Sequence, residues 1–265
     1  MRLTVVGCAG SFPGPDSPAS CYLVQAEHDG RTYSLVLDLG NGALGALQRH
    51  VPLEEVDVVA LSHLHVDHWI DLTSFYVVRT YHPGGPLPRL PVVGPVETAQ
   101  RLARAYGGAD DTGRADEVFE FVDWKPDESL AYGPFTLRVA RMAHPVEAYA
   151  IRIEQGDRAL VYSGDTGPCE ALVELATGAD VLLCEASFLE RHRRPPDLHM
   201  TGLEAAEHAA RAGVGRLMLT HVPPWMDRAD VLAEARPAFA GPIALAEPGA
   251  THHIGRPPTR QGTGR

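Results

Sequence analysis

The sequence predicts an α/β fold, in which strands and helices alternate along most of the chain. Short apolar runs bounded by Gly, Pro or Asp, such as Val181–Cys184, have the length of buried strands. Longer segments between them carry apolar residues at helical spacing, such as Leu203–Ala212. The chain has 265 residues, 45% of them hydrophobic and 22% charged, which is enough for one large globular domain or two small ones.

The strands are predicted where apolar and β-branched residues cluster between turn residues, from the N-terminus nearly to the end of the chain. In chain order they are Leu3–Val6, Tyr22–Ala26, Tyr33–Leu37, Val56–Leu61, Pro91–Val93, Phe119–Val122, Phe135–Ala140, Ala148–Ile153, Ala159–Tyr162, Val181–Cys184, Arg216–Leu219 and Ile243–Leu245.

The helices are predicted between these strands, at Ala43–Arg49, Ile70–Tyr81, Val96–Tyr106, Cys169–Ala176, Leu203–Ala212 and Arg228–Phe239. The spacing of Thr201 and Glu204 is that of a capping box, which marks the start of an Ala-rich helix. No repeat or linker interrupts this order, so residues 1–254 are predicted to form a single domain. Residues 255–265 offer almost nothing to bury, and we expect a disordered tail there.

The charge of the chain argues against an extended nucleic-acid surface, which needs clustered Lys and Arg. The 34 acidic residues outnumber the 23 basic ones, giving a formal net charge of −11, which still permits a small phosphate ester. No apolar stretch is long enough to cross a bilayer, so no membrane association is expected. The first strand begins at once, without a signal peptide, and the cysteines form no Cys-x-x-Cys pair, which predicts a cytoplasmic protein with reduced thiols.

The segment Ser62–His68, Ser-His-Leu-His-Val-Asp-His, carries the strongest chemical signal. In an extended chain, residues two apart point the same way, so His63 and His65 can face one metal ion. Once the chain turns, Asp67 and His68 can face a second ion. Imidazole and carboxylate are the ligands that zinc and similar ions take at catalytic sites. A His-rich surface loop is the alternative, but it would not concentrate such ligands beside a buried strand.

Three further ligand types stand just after other predicted strands, where a loop opens and side chains can converge. They are His144, Asp165 and His221. One histidine in such a position is usually structural, whereas several strand ends that all carry ligands favour one shared site.

The ordered set of motifs resembles the metallo-β-lactamase superfamily over nearly the whole chain. The resemblance implies a four-layer αβ/βα sandwich, with two mixed β-sheets flanked by helices and a site for two divalent metal ions at one edge. It implies zinc, with manganese as the alternative. Carried over by residue, it assigns one ion to His63, His65 and His144, the other to Asp67, His68 and His221, and the bridging position to Asp165.

Within that superfamily, the segment from His199 to His221 resembles the ribonuclease Z branch. The branch places a histidine that binds no metal just before the helix that leads to the last metal ligand. The resemblance implies that His199 binds the phosphate and protonates the leaving oxygen. Separately, Asp67 is expected to serve both as a metal ligand and as the group that orients or deprotonates the nucleophile. A helix-flanking His199 without chemistry is the alternative.

Two acidic residues are expected to support the site without binding metal. Glu185 ends a predicted strand and could orient His199 or His221, or it is a solvated strand-end acid. Asp38 precedes a Gly-rich turn, and its family counterpart supports the metal-site loops.

The chain departs from true ribonuclease Z in lacking a long basic arm between the third motif and the bridging aspartate. About twenty residues separate His144 from Asp165, and two predicted strands with a tight turn fill them. The basic cluster Arg191–Arg194 is expected to be a solvated loop, with contact to a nucleotide phosphate as the alternative. Nucleic acid is therefore not the expected substrate.

The loops resemble most closely the atypical class II cyclic-nucleotide phosphodiesterases of actinobacteria. This resemblance implies hydrolysis of a 3′,5′-cyclic nucleotide, above all cyclic AMP, to the 5′-monophosphate. Ser11 and Trp225 lie in matching loops and are candidate substrate contacts, although Trp225 could be an ordinary wall residue. Relatives of this fold are often dimers, so a homodimer is expected by analogy. The matching segments are Gly7–Ser11, Gly14–Ser20, Gly45–His50 and Thr220–Trp225.

Other functions stay open at this stage. They are a ribonuclease Z-like RNA endonuclease, a lactone or thioester hydrolase, and a metal-binding regulatory protein without turnover. The missing basic arm weighs against the first, because RNA would need it. Esterase-like relatives usually lack the arrangement from His199 to His221, and a complete ligand set with His199 weighs against a protein without turnover.

Overall fold

The computed structural model describes residues 1–107 and 113–255. The strands of this part of the chain are β1 (Arg2–Gly7), β2 (Cys21–His28), β3 (Arg31–Leu37), β4 (Val58–Ala60), β5 (Leu90–Gly94), β6 (Phe119–Asp123), β7 (Leu130–Tyr132), β8 (Phe135–Arg141), β9 (Tyr149–Gln155), β10 (Arg158–Tyr162), β11 (Val181–Glu185), β12 (Leu217–Thr220), β13 (Ile243–Leu245) and β14 (Thr251–His253).

The helices lie between these strands. They are α1 (Ala43–Leu47), α2 (Val66–Trp69), α3 (Leu72–Thr80), α4 (Thr98–Ala105), α5 (Gly113–Val118), α6 (Glu170–Ala176), α7 (Gly202–Ala212) and α8 (Arg228–Ala235), and a 3₁₀ turn spans Leu53–Glu55. Within the described ranges, no helix combines the length and apolar character needed to cross a bilayer.

The strands form two mixed sheets. The first has the order β14-β1-β2-β3-β4-β5-β6, antiparallel from β14 to β3 and parallel from β3 to β6. The second has the order β13-β12-β11-β10-β9-β8-β7, parallel from β13 to β10 and antiparallel from β10 to β7. Each parallel half receives its crossover helices on one face, as parallel strands require.

Three apolar clusters define the layers. The inner faces of the two sheets pack on each other through residues such as Leu37 and Ile151. The outer face of the first sheet is covered by helices that bury Phe75, and the outer face of the second by helices that bury Leu172 and Ala206. Burial of apolar surface on both sides of both sheets drives this stacking. The four-layer αβ/βα arrangement predicted from the sequence is confirmed.

Several short elements differ from the sequence-based prediction. The edge strands β7 and β14 were not predicted, because three residues that pair with one neighbour leave little pattern in the sequence. Helices α2 and α5 were also missed. The strand predicted at Val56–Leu61 is shorter, because Val56 ends the 3₁₀ turn and the Asp57 carboxylate accepts a hydrogen bond from the backbone N–H of Ser34.

Residues of both sheets share the inner apolar core. The single domain proposed for residues 1–254 stays a prediction. The disordered tail predicted for residues 255–265 lies, apart from Gly255, outside the described residues.

Candidate metal centre

The proposed metal ligands lie at one edge of the sandwich, in loops that follow strands of both sheets. His63 follows β4 and forms an isolated bridge with Ala148, next to β9, so it joins the two sheets. His144 follows β8, Asp165 follows β10 and His221 follows β12. Side chains far apart in the sequence therefore converge where the two sheets meet.

The first donor group consists of His63, His65, His144 and Asp165, whose ligand atoms all lie within 4.8 Å of one another. Nε2 of His63 and Nε2 of His144 are each 3.1 Å from Nδ1 of His65. His65 has extended backbone and stands directly before α2, so its side chain points the same way as that of His63.

The second donor group consists of Asp67, His68 and His221, all buried. Nε2 of His221 lies 3.1 Å from Nε2 of His68 and 3.1 Å from Oδ2 of Asp67. Asp67 and His68 are consecutive in the short helix α2, where the sequence predicted only a turn.

Asp165 faces both donor groups. Its Oδ2 is 3.5 Å from Nε2 of His63 and 3.3 Å from Nε2 of His68, and its Oδ1 is 3.5 Å from Nε2 of His221. Oδ1 is buried, and it accepts no hydrogen bond from any residue that the structure describes. A buried carboxylate oxygen without a partner is costly unless a cation compensates it.

The tautomers of the histidines show that these donor groups fit metal ions. The Leu198 carbonyl, 2.9 Å from Nδ1 of His144, can only accept, so Nδ1 donates and Nε2 keeps its lone pair. Nδ1 of His68 likewise donates to the Asp38 carboxylate, 2.7 Å away. Ser62 Oγ donates to Asp38 and therefore accepts from Nδ1 of His63. The inner Nε2 atoms of His63 and His144 therefore carry lone pairs, the form in which a neutral imidazole binds a cation.

The pKa values in the first group favour the metal-binding form. Burial lowers the pKa of His63, His65 and His144, so these imidazoles are neutral. In the second group, burial acts against charge on His68, but Asp165, Asp38 and Asp67 raise the pKa of His68 well above its usual value. The carboxylates around His68 therefore attract a positive charge to this point.

Asp38 holds the second donor group in place, as expected for a residue that supports the site. It is fully buried and accepts hydrogen bonds from Nδ1 of His68, from the backbone N–H and Oγ of Ser62, and from Oη of Tyr162, all at 2.7 Å. Four donors on one carboxylate fix the orientation of His68 and of the strand end that carries His63.

His221 is oriented from the opposite side by Ser187. Ser187 Oγ lies 2.8 Å from Nδ1 of His221 and donates to Oε2 of Glu185 at 2.9 Å. The sequence reasoning missed Ser187, Ser62 and Tyr162. Alternation along the strand end from Glu185 to Ser187 places both side chains on one face, and this signal could have indicated Ser187.

His199 lies beside the donor groups and is paired with Glu185. Its Nδ1 is 2.8 Å from Oε1 of Glu185 and 3.9 Å from Oδ2 of Asp165. Burial opposes charge on the imidazole, but the Glu185 carboxylate prevails and raises the pKa of His199 to about 9. Glu185 is fully buried, so it is not a solvated strand-end acid. It also accepts from the backbone N–H of Thr166, next to Asp165.

The basic cluster Arg191–Arg194 is engaged with acidic side chains. Arg191 pairs with Asp230 at 2.6 Å, and Arg194 forms ion pairs with Glu204 and Glu190. These pairs favour the surface-loop interpretation over contact with a substrate phosphate.

The two candidate substrate residues lie on loops beside His221. The backbone N–H of Ser11 points at Nε2 of His221, 3.4 Å away, so Ser11 reaches the edge of the second donor group. Trp225 follows His221 by four residues, is 70% exposed and packs against Phe12.

Comparisons with known proteins agree with this geometry. Residues 33–222 match the family model of the β-lactamase superfamily domain. The chain is 48% identical over 247 residues to protein Rv1339 of Mycobacterium tuberculosis, covering 92% of this chain and 88% of that protein. It is 33% identical over 252 residues to ribonuclease Z of Mycolicibacterium gilvum, covering 84% and 85%.

A solved structure agrees over the whole fold. The chain is 31% identical over 264 residues to the probable metallo-hydrolase YhfI of Bacillus subtilis, covering 94% of this chain and 98% of YhfI. The crystal structure of YhfI superposes with a TM-score of 0.83 at 30% identity, over 95% of this chain and 99% of that one. The chain therefore belongs to the β-lactamase superfamily, in its ribonuclease Z-like branch, and is a metal-dependent hydrolase.

Proposed function

We propose that this protein is a binuclear phosphodiesterase that hydrolyses 3′,5′-cyclic nucleotides, above all cyclic AMP, to 5′-monophosphates. The observation that carries the proposal is the pair of His199 and Glu185, 2.8 Å apart, beside two adjoining metal-donor groups. A protonated imidazole next to two cations suits a phosphodiester, because both the charge of the phosphate and its leaving oxygen need stabilisation.

The proposed ligand assignment follows the donor groups. His63, His65 and His144 hold one ion, and Asp67, His68 and His221 hold the other, with Asp165 between them. Zinc is the proposed metal and manganese the alternative, because nitrogen and carboxylate donors suit both. Divalent ions at such a site supply Lewis acidity toward a phosphoryl oxygen and lower the pKa of water.

The side chains of the protein supply the remaining steps. Glu185 keeps His199 protonated on Nδ1, so the ring can bind a phosphate oxygen and then donate its other proton to the departing 3′ oxygen. The pKa of Asp67 is held far below the usual range, because the positive charge of His68 outweighs the effect of burial. As an anion it can bind metal and orient the attacking water.

The short segment between His144 and Asp165 favours a small substrate over RNA. Strands β9 and β10 occupy that stretch, and Gly156 and Asp157 alone separate them, so a long basic arm has no place there. The net charge of −11 also disfavours RNA as a substrate. The identity to ribonuclease Z of Mycolicibacterium gilvum favours RNA endonuclease activity as the second candidate. Lactone or thioester hydrolysis is the third.

The deciding experiment is a substrate panel with protein loaded with Zn²⁺ or Mn²⁺. It compares cyclic AMP, cyclic GMP, bis(p-nitrophenyl) phosphate, a precursor transfer RNA and a lactone. We expect turnover of the cyclic nucleotides and none of the lactone. Cleavage of the transfer RNA without cyclic-nucleotide turnover would establish the second candidate instead, and turnover of the lactone alone would refute the phosphodiester assignment.

His199→Ala tests the acid within that reaction. We expect kcat for cyclic AMP to fall by about a hundredfold or more while both metals stay bound, because the leaving oxygen loses its proton donor. Metal content by atomic absorption and kcat are measured on the same preparation, and His192→Ala, in the exposed loop, is the control. A variant with full metal content and unchanged kcat would exclude His199 from the chemistry.

We also propose a cellular location and an oligomeric state for this enzyme. A cytoplasmic enzyme agrees with cyclic-nucleotide substrates and with the free cysteines of the described residues. A homodimer is proposed by analogy with relatives of this fold, and light scattering on the purified protein decides between dimer and monomer.

A further inference from the structure

Two exposed aromatic rings, Phe12 and Trp225, form a pair on the two loops that flank His221. The ring centroids of Phe12 and Trp225 are 4.8 Å apart, and their planes meet at 36°. Trp225 is 70% exposed and Phe12 36% exposed. Phe12 therefore backs one side of the indole, and the rest of Trp225 is open to solvent.

Folding alone does not account for this exposure. The other two tryptophans of the chain are buried, and each donates its indole N–H to a backbone carbonyl: Trp69 to Leu64 and Trp124 to Leu61. In the described part of the chain, Trp225 has no such acceptor. Unlike a single exposed ring, two exposed aromatic rings in contact form a contiguous apolar patch, and such patches mark binding sites.

The pair is held by two loops packed tightly on each other. The backbone N–H of Gly10 donates to the Val222 carbonyl at 3.2 Å, and Ala9 bridges to the same residue. A Cβ on Gly10 would lie 2.1 Å from the His221 carbonyl oxygen, so the contact requires glycine. The two prolines before Trp225 and the hydrogen bond from the Met226 N–H to the Pro223 carbonyl stiffen the second loop.

The same loops lead directly to the metal-donor groups. Ser11, whose N–H lies 3.4 Å from Nε2 of His221, immediately precedes Phe12, so their Cα atoms are about 3.8 Å apart. In the second loop, His221 precedes Trp225 by four residues. Both loops that carry the aromatic pair therefore contain a residue at the second donor group, Ser11 in one and His221 in the other.

We propose that Trp225, backed by Phe12, stacks the purine base of the nucleotide whose phosphate lies at the metal centre. A planar aromatic base suits the exposed indole face, and the pair carries no charge that would compete for the phosphate. This inference rests on the proposed function for its ligand. It adds a specificity determinant: the aromatic pair favours purine nucleotides over esters that have no base.

Binding is tested first, without turnover, on the zinc-loaded protein. Tryptophan fluorescence is titrated with 5′-AMP and with ribose 5-phosphate, in the wild type and in Trp225→Phe. We expect 5′-AMP to quench the wild type, ribose 5-phosphate to quench it little, and the quenching to disappear in Trp225→Phe. Equal quenching by both ligands, or quenching that persists in Trp225→Phe, would overturn the stacking role.

Kinetics then measure what the stack contributes. We expect Trp225→Ala to raise KM for cyclic AMP about tenfold with kcat nearly unchanged. Trp225→Phe should restore most of the affinity for cyclic AMP. The KM for the base-free 3′,5′-cyclic phosphate of 1-O-methylribose should be the same in both variants as in the wild type. Tyr81→Ala, an equally exposed aromatic at the end of α3, is the matched control and should behave as wild type.

The outcomes separate the two proposals. If cyclic AMP is hydrolysed and Trp225→Ala leaves KM unchanged, the stacking role fails and the phosphodiesterase stands. If no cyclic nucleotide is hydrolysed, but 5′-AMP quenches the Trp225 fluorescence and ribose 5-phosphate does not, the phosphodiesterase proposal fails and the base-binding site stands.

Discussion

At the scale of single residues, the metal centre is built from backbone that most side chains avoid. Ser11, Asp38, Asp197 and His221 all have positive φ, between 53° and 64°, although none is glycine. Each such residue costs on the order of 1 kcal/mol. All four belong to loops of the metal centre or of His199, where hydrogen bonds such as those to Asp38 hold the conformation.

Glu185→Gln should move the pH dependence of catalysis. In the proposed mechanism, the protonated form of His199 is the active one, so kcat should fall as pH rises through the pKa of His199. The Glu185 carboxylate raises that pKa, and a neutral amide of the same shape removes the effect. We therefore expect the alkaline limb of the kcat profile to shift to lower pH by about one unit or more.

The control for this change is Glu207→Gln, at an exposed position of α7, which should keep the wild-type profile. Full pH profiles of kcat at saturating cyclic AMP are the measurement. An unshifted alkaline limb in Glu185→Gln would show that another group titrates there.

At the scale of elements, α7 links stability to catalysis, because its N-terminus follows the His199 loop. Thr201 accepts from the backbone N–H of Glu204, and the Glu204 carboxylate accepts from that of Thr201, which completes a capping box. Thr201 also donates to Glu190. Gly202 brings the helix against α8, since a Cβ there would lie 2.2 Å from the Val231 carbonyl oxygen.

Thr201→Ala should lower the free energy of unfolding by about 1 kcal/mol, the usual value of an N-cap. The reason is the loss of an acceptor for the N–H of Glu204 and of the hydrogen bond to Glu190. Urea unfolding of the metal-loaded protein measures it, with Glu207→Ala in the middle of the same helix as control. A midpoint equal to that of the control would mean that the cap adds nothing to stability.

At the scale of the whole molecule, the proposed metal ligands come from both sheets. The ligands His63 and His65 follow a strand of the first sheet, whereas His144, Asp165 and His221 follow strands of the second. Ions bound between them would therefore act as cross-links that exist only in the folded state. Without cations, the buried carboxylates would repel one another, so metal binding and folding are coupled.

Metal removal should lower thermal stability measurably. At a free zinc concentration of 100 Kd, mass action stabilises the folded state by about 2.7 kcal/mol, so the apparent Tm should fall by several degrees with EDTA. The stabilisation should weaken as pH drops, because protons compete for the ligand imidazoles. Calorimetry with and without zinc measures both effects.

Asp165→Asn provides the decisive comparison for this effect. It should lose most of the zinc-dependent rise in Tm, because the oxygen that faces both donor groups no longer carries charge. Asp157→Asn, in the exposed turn between β9 and β10, should keep that rise. A zinc-dependent rise that is equal in both variants would place the metal elsewhere.

Much of the fold followed from local patterns. The predicted strand Val181–Cys184 and the helix predicted at Leu203–Ala212 lie within a residue of their observed bounds, because each buries a regular apolar face. The edge strands β7 and β14 did not follow, because their position depends on a neighbouring strand rather than on their own residues.

The sequence by itself determined which residue types stand at the strand ends, because the spacing from His63 to His68 and the strands before His144, Asp165 and His221 are local properties. The tertiary structure alone decided that Nδ1 of His144 donates to the Leu198 carbonyl, that Glu185 meets His199, and that Phe12 lies against Trp225. These contacts join residues up to 213 positions apart (Phe12 and Trp225), and no local pattern encodes a distance that arises when the sheets pack.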